Sequence, residues 1–177
     1  GAPLELVSDL LYRKLIFLKQ QYHFKNLYVT AHSMGGLVAR ALIIRLGEEL
    51  PVVQLLIAIS TPWGDDKMAG YGIQQSPFVI PCWRDLQPEG AFLKSLYTRA
   101  MPKETDFYIF FGHRGNRNPL RSNNDGTLTL ASMLDLRSQS EAHRVYGFNE
   151  NHESIIHSKE VLSYYNTILR MKDRKYN

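Results

Sequence analysis

Apolar and polar positions divide the chain into alternating helical and extended stretches. From Leu4 to Tyr22, the residues Leu6, Leu10, Leu11, Leu15 and Leu18 recur at helical spacing with Arg13, Lys14 and Lys19 among them, which predicts an amphipathic helix. Leu27-Tyr28-Val29-Thr30-Ala31 is short and β-prone and predicts a strand. A second helix is predicted over 35–49, with Leu37, Val38, Ala41, Leu42 and Ile44 as its apolar face and Gly47 and Pro51 helping to end it. The run at 52–59 has almost no polar interruption, as expected of a strand covered on both faces in the middle of a parallel sheet. Residues 106–112 and 143–148 read as two more strands. A last helix is expected over 153–171, turning Ile155, Ile156, Val161, Leu162, Tyr165 and Ile168 inward.

Helices alternating with strands predict the α/β class, a mainly parallel sheet flanked by helices, in one domain spanning 1–177. Two segments interrupt the alternation. Residues 64–102 form a lid-like insertion with an apolar, proline-containing stretch at Ser76-Pro77-Phe78-Val79-Ile80-Pro81, helical over 88–97. Residues 112–124, rich in Gly, Asn and Arg, predict a solvent-facing loop.

Composition narrows the function classes. The hydrophobic share of 44% and charged share of 21% are ordinary for a globular domain that folds without a metal. The one cysteine, Cys82, excludes an internal disulfide framework. The net charge of +4 is scattered, apart from Arg170-Met171-Lys172-Asp173-Arg174-Lys175, which reads first as a solvated helix end and second as a contact for an anionic, peripheral membrane surface or nucleic acid. No nucleic-acid-binding motif is present, nor an apolar stretch of the roughly 18 residues needed to span a bilayer. The absence of His-Glu-x-x-His, cysteine clusters and a lysine-bearing phosphate loop leaves no metal or cofactor to expect. The compartment stays unassigned.

The informative segment is Ala31-His32-Ser33-Met34-Gly35-Gly36, which matches the small-x-Ser-x-Gly pattern of a nucleophile elbow. A serine on a tight strand-to-helix turn adopts strained backbone angles, and small residues at Ala31 and Gly35 relieve the crowding. Gly36 lets the helix approach the sheet. The plain alternative is a structural serine in an ordinary β-to-α turn. A nucleophilic serine needs a base, and six histidines compete for that role: His23, His32, His113, His143, His152 and His157.

Ala-His-Ser-Met-Gly-Gly followed by Leu37-Val38-Ala39-Arg40 resembles the elbow of α/β-hydrolases, in particular triacylglycerol lipases and inositol-deacylase-like (PGAP-type) esterases. Ser60-Thr61-Pro62-Trp63-Gly64 is similar to a segment bordering the active-site pocket of these lipases, and Arg84-Asp85-Leu86 with Pro88 and Phe92-Leu93 to their lid region. The resemblance implies a serine hydrolase cleaving esters or lipids through an acyl-enzyme on Ser33. His152, in the loop before the last helix, stands where the family carries its base, with His113 second. Asp125 in Asn123-Asn124-Asp125-Gly126 fits the acid, although Asn-Asp-Gly is also an ordinary turn signal. Asp135 is the alternative acid, ahead of Asp65 and Asp66. The Met34 N–H would supply one oxyanion donor, and His32, Thr61, Pro62 and Trp63 would line the substrate pocket. Trp63, Tyr71, Phe78, Val79, Ile80 and Trp83 either cover an acyl site or pack the insertion down.

The second oxyanion donor in this family follows a strand that would precede the first helix, so the sequence begins too late to hold it. A fragment, a partner that supplies the strands, or their loss would each account for this. The isolated chain is then expected to be weakly active or inactive. Two other readings share the residues: an acyltransferase using the same triad, and a binding domain that keeps the elbow without turnover.

Overall fold

The computed structural model describes residues 3–49, 53–64, 90–115 and 123–176. Four strands, β1 (Leu27–His32), β2 (Val53–Ile59), β3 (Asp106–Gly112) and β4 (Arg144–Phe148), form one sheet in the order β1-β2-β3-β4. Every pairing is parallel. The helices are α1 (Leu4–Tyr22), α2 (Gly35–Glu49), α3 (Ala91–Leu96), α4 (Leu130–Met133), α5 (Leu136–Glu141) and α6 (Lys159–Tyr176), with a 3-10 turn at Ser154–His157 before α6. The predicted α/β class and all four strands are present. The lid-like insertion is described only at residue 64 and over 90–102, where α3 lies within its predicted helical half.

Strand β2 shows why its sequence lacks alternation. Leu56 and Ala58 enter one core, with Leu37 and Leu42 of α2, Trp63, Phe107 and Ile109. Leu55, Ile57 and Ile59 enter the other, with Phe110, Phe148, Ile155, Val161 and Ile168. A strand buried on both faces needs an apolar residue at every position, and each such side chain contributes about 1.5–3 kcal/mol by leaving water. The register places His32 opposite Ile59, Ile59 opposite Phe110 and Gly112 opposite Phe148. The strand exits are therefore level, and the loops that follow them gather at one rim.

The helices depart from the sequence reading in three places. In α1, Leu6 and Leu10 are 50% and 59% exposed, while Leu4, Ser8, Tyr12, Leu15 and Ile16 face the core. Asp9 pairs with Arg45 of α2, whose guanidinium lies 4.5 Å from the centre of the Tyr12 ring. These contacts turn the helix away from its leucine-rich stripe. At Ser158 the backbone is extended, which breaks the expected single helix into the 3-10 turn and α6. That phase change leaves Ile156 and Leu162 about half exposed, at 49% and 55%. Lys172, expected on a solvated end, is buried and ion-paired with Asp106 at the start of β3.

Arg40 of α2 is fully buried in this fold. Its Nε donates to the Leu96 carbonyl at 2.9 Å and its Nη1 pairs with Glu141 at 2.5 Å. Its guanidinium lies 4.6 Å from the Tyr97 ring centre. The cation thereby joins α2 to the end of α3 and to α5. Removing Glu141 leaves the buried cation without its counter-charge, a change that typically costs about 3–5 kcal/mol for a buried pair.

Candidate active site

Strand β1 ends at His32 and α2 begins at Gly35, so Ser33 and Met34 make the whole turn. Ser33 takes a left-handed backbone, φ 55°, a strain of about 1–3 kcal/mol for a residue with a Cβ. Its N–H is held by the Ile59 carbonyl at 2.9 Å, which fixes the turn to the exit of β2. Of the roles expected for the two elbow glycines, the close approach at Gly36 is found and the crowding between Gly35 and Ala31 is not. A Cβ at Gly35 would meet only the Ala31 Cβ at 3.8 Å, an ordinary contact. A Cβ at Gly36 would lie 2.6 Å from Thr61 Cγ2 and 2.8 Å from Thr61 Cβ, with Oγ1 closer still. Gly36 is what lets the first turn of α2 settle against the segment leaving β2.

Asp125 lies in the turn before α4. Its Oδ1 accepts from the N–H groups of Thr127 at 3.0 Å and Leu128 at 2.7 Å, and Gly126 at φ 98° completes the bend. Its Oδ2 faces His152 Nδ1 at 2.7 Å. Oδ1 thus serves the Asn-Asp-Gly turn, while Oδ2 is left to face His152. Burial alone would push the Asp125 carboxyl up, but the hydrogen bonds from His152, Leu128 and Thr127 outweigh it and hold the group below its ordinary value.

His152 follows β4 and is 12% exposed, whereas Asp125 has no exposure. The His152 N–H donates to the Asp125 carbonyl at 2.8 Å, and His152 Nε2 stands 3.0 Å from Ser33 Oγ. An ionised Asp125 can only accept, so Nδ1 carries the proton, Nε2 is a free acceptor, and the Ser33 hydroxyl donates to it. The bond from residue 152 to residue 33 spans 119 positions of sequence. Chemically, the arrangement can draw a proton from a hydroxyl held on a strained turn beside a helix N-terminus, whose N–H groups favour developing negative charge.

The other histidines lie elsewhere. His23 caps α1 in a left-handed conformation, His113 stands against Phe111, His143 lies 3.6 Å from Asp106, and His157 ends the 3-10 turn. His32 stays close: its Nε2–H donates to the His152 carbonyl at 2.8 Å, and the two rings are 4.7 Å apart. Burial, reinforced by the neighbouring His152, lowers the His32 pKa from 6.5 against the opposing carbonyl bond and the Asp125 charge. Asp135 instead caps α5 and pairs with Arg137, and Asp65 and Asp66 lie outside the described residues.

Of the residues expected at a substrate pocket, Thr61, Pro62 and Trp63 are all buried. Trp63 has no exposure and packs edge-on against Phe107 with ring centres 5.3 Å apart, so it is a core side chain below the rim. Tyr71, Phe78, Val79, Ile80 and Trp83 lie outside the described residues. Met34, next to Ser33, packs its side chain against the core, and its backbone leads into α2.

Sequence reasoning placed Ser60 in the pocket-border segment without a role of its own; it is buried and left-handed at φ 44°, just past β2. Its N–H donates to the Phe110 carbonyl at 2.8 Å, and the bend it makes sends Thr61 under Gly36. A small polar residue directly after an apolar run was the available signal. Gly64 then exchanges bonds with Ser132, N–H to carbonyl at 3.0 Å and hydroxyl to carbonyl at 2.8 Å, tying the β2 exit to the segment that follows Asp125. Among the described residues no group of three or more His, Cys, Asp or Glu side chains could hold a metal, and no helix is long and apolar enough to cross a membrane.

Known proteins share this architecture. A gene product of Listeria innocua (lin2722) superposes with a TM-score of 0.66 at 20% identity, covering 93% of this chain and 66% of its own. The mature lipase BlEst2 of Bacillus licheniformis gives 0.68 at 17% identity, covering 94% and 74%. The phospholipase PlaB of Legionella pneumophila gives 0.61 at 11% identity, covering 75% and 32%. The chain thus spans just under two thirds of the Listeria protein. At these identities the likeness is one of fold. No curated sequence matches the chain. A family profile covers residues 7–172 and settles the membership: the chain belongs to the family described as alpha/beta hydrolase of unknown function (DUF915).

Proposed function

We propose that the protein is a serine hydrolase that cleaves carboxylic esters, with Ser33 as nucleophile, His152 as general base and acid, and Asp125 as the group that orients His152. One observation carries this reading: the unbroken hydrogen-bonded series from Asp125 Oδ2 to His152 at 2.7 Å and on to Ser33 Oγ at 3.0 Å. A surface serine has no need of a buried carboxylate aligned behind its imidazole. The lipase and phospholipase names of two structural neighbours agree with an ester substrate.

In the first half-reaction, Ser33 Oγ attacks the ester carbonyl carbon as its proton passes to His152 Nε2. The oxyanion gathers at the Met34 N–H, a contact typically worth about 3 kcal/mol in such sites. The tetrahedral adduct collapses, the C–O bond breaks, and the alcohol leaves with the proton from His152. A water then gives its proton to His152 and attacks the acyl-enzyme, releasing the acid and restoring Ser33. Asp125 stays ionised throughout and stabilises the imidazolium. Thr61, Pro62 and Trp63 act from beneath, keeping the β2 exit against the elbow.

A fluorophosphonate probe tests this directly, because it phosphonylates only a serine activated by its base. The purified protein is expected to label at Ser33, to lose labelling in Ser33→Ala and His152→Ala, and to hydrolyse p-nitrophenyl esters weakly. A folded protein that neither labels nor hydrolyses any ester of the series overturns the proposal.

A further inference from the structure

We infer that His32 is a positioning residue for the His152 base, a role that rests on the serine-hydrolase reading. His32 is the last residue of β1, and its backbone is fixed by pairing opposite Ile59. Its Nε2–H donates to the carbonyl of His152, the residue whose imidazole must face Ser33. The opposite side of the same residue is held by the Asp125 carbonyl, which accepts the His152 N–H at 2.8 Å. The main chain of residue 152 is therefore clamped at both its N–H and its C=O. One clamp is the backbone of Asp125, and the other is a side chain adjacent to Ser33.

The remaining bonds of this loop do a different job. Asn151 N–H to Ser154 Oγ at 2.9 Å and Ser154 N–H to Asn151 Oδ1 at 2.7 Å shape the loop internally. Arg114 N–H to the Glu150 carbonyl at 3.0 Å ties it to the exit of β3. His32 and the Ser33–His152 bond itself join it to the nucleophile strand. A loop-borne base displaced by about 1 Å loses on the order of 100-fold in rate, so a restraint at this point acts on the reaction.

Charge supports the assignment. His32 is half-buried with its ring beside that of His152. Burial first, then His152, lowers its pKa, while the carbonyl bond and Asp125 act against the shift. A neutral His32 keeps one N–H for the carbonyl and adds no cation beside His152 when that ring becomes imidazolium. An aliphatic residue there would fill space and leave the carbonyl unheld.

The test exploits reach. In His32→Gln the amide nitrogen falls near the site of Nε2 and can still donate, whereas in His32→Asn it falls near Nδ1 and stops short. His32→Leu keeps bulk and removes the donor. The second-order rate of Ser33 labelling by a fluorophosphonate, with kcat and KM for a p-nitrophenyl ester, is measured in each variant. Leu and Asn are expected to lose about 10- to 100-fold in labelling and kcat, with KM within about 3-fold of the parent, and Gln to recover most of the loss. A purely structural role gives no difference between Gln and Asn, so equal rates in those two overturn the inference even where Leu fails to fold. Leu folding and labelling as fast as the parent overturns it as well. Failure of the parent protein to label at Ser33 instead defeats the hydrolase reading and takes this role with it.

Discussion

The sharpest perturbation of the site is Asp125→Asn, because the surroundings dictate which way the new amide must point. The Thr127 and Leu128 N–H groups, at 3.0 and 2.7 Å, both donate to Oδ1 and demand an acceptor there. Turning the NH2 toward them would set it against two buried donors, at about 1–3 kcal/mol for each unsatisfied group. The amide oxygen therefore keeps the Oδ1 site, and the NH2 takes the Oδ2 site, 2.7 Å from His152 Nδ1. That nitrogen must now accept. The imidazole proton moves to Nε2 and points at Ser33 Oγ, so Nε2 can no longer accept while every heavy atom keeps its place. A wrong tautomer in a serine triad costs about 10⁴ in kcat, roughly 5.5 kcal/mol of transition-state stabilisation. Folding stability falls by much less, about 1–3 kcal/mol, the difference between charged and neutral acceptors in a few hydrogen bonds. The assay pairs the rate of fluorophosphonate labelling at Ser33 with a urea melt on the same sample. A variant that labels within ten-fold of the parent would refute the tautomer argument, and a labelling loss matched by unfolding would show that Asp125 serves only its turn.

The elbow and the pH response give further expectations. Gly36→Ala should destabilise by about 1–3 kcal/mol in urea unfolding, because its Cβ would fall within 2.8 Å of the buried Thr61 Cβ. Thr61→Gly in the same chain should recover part of that loss, and independent, additive effects of the two changes would contradict the close contact. Gly35→Ala, whose Cβ meets Ala31 at 3.8 Å, should be neutral or gain up to about 1 kcal/mol of helix propensity, and a loss comparable to that of Gly36→Ala would disprove the assignment of the steric demand. His32 and Asp125 both have folded pKa values below their ordinary 6.5 and 3.8, so the unfolded chain binds their protons more readily. Stability contributed by His32 is full above pH 6.5 and is lost as pH falls through its lower folded pKa; that of Asp125 follows below 3.8. His32→Gln should remove the first of these losses in urea melts across the acid range, and a first loss unchanged in that variant would assign it to another group.

How much was legible depends on how far each residue's reason lies from it in sequence. The apolar run of β2 and the elbow around Ser33 are local statements: a strand buried on both faces and a serine on a cramped turn each write their requirement into adjacent positions. His152 and Asp125 were placed by chain order within the family they resemble, and the turn chemistry of Asn-Asp-Gly hid that one carboxylate serves two masters, Oδ1 for the bend and Oδ2 for the imidazole. Two of the misread features, the face of α1 and the burial of Lys172, have distant partners. Tyr12 and Asp9 outweigh the leucine stripe of α1 only because Arg45 meets them from α2. Lys172 leaves solvent because Asp106 waits at the start of β3, and Arg40 is tolerable in a core only with Glu141 and the Leu96 carbonyl.

The same reasoning locates what the fold contributes to the chemistry. Level strand exits, fixed by the register of β1, β2, β3 and β4, deliver the elbow, Ser60 and the His152 loop to one rim, whatever their separation along the chain. The remaining precision comes from short polar ties between the strand exits: Ser33 to Ile59, Ser60 to Phe110 and Arg114 to Glu150 between neighbours, and His32 to His152 from β1 to the loop after β4. Of these, the first three join backbone to backbone and would survive most changes of side chain. The bond from His32 is the exception, a side-chain donor holding the main chain of His152. It is therefore the tie that a single substitution can cut without touching Ser33, His152 or Asp125, and the place where the geometry of the site can be separated experimentally from its chemistry.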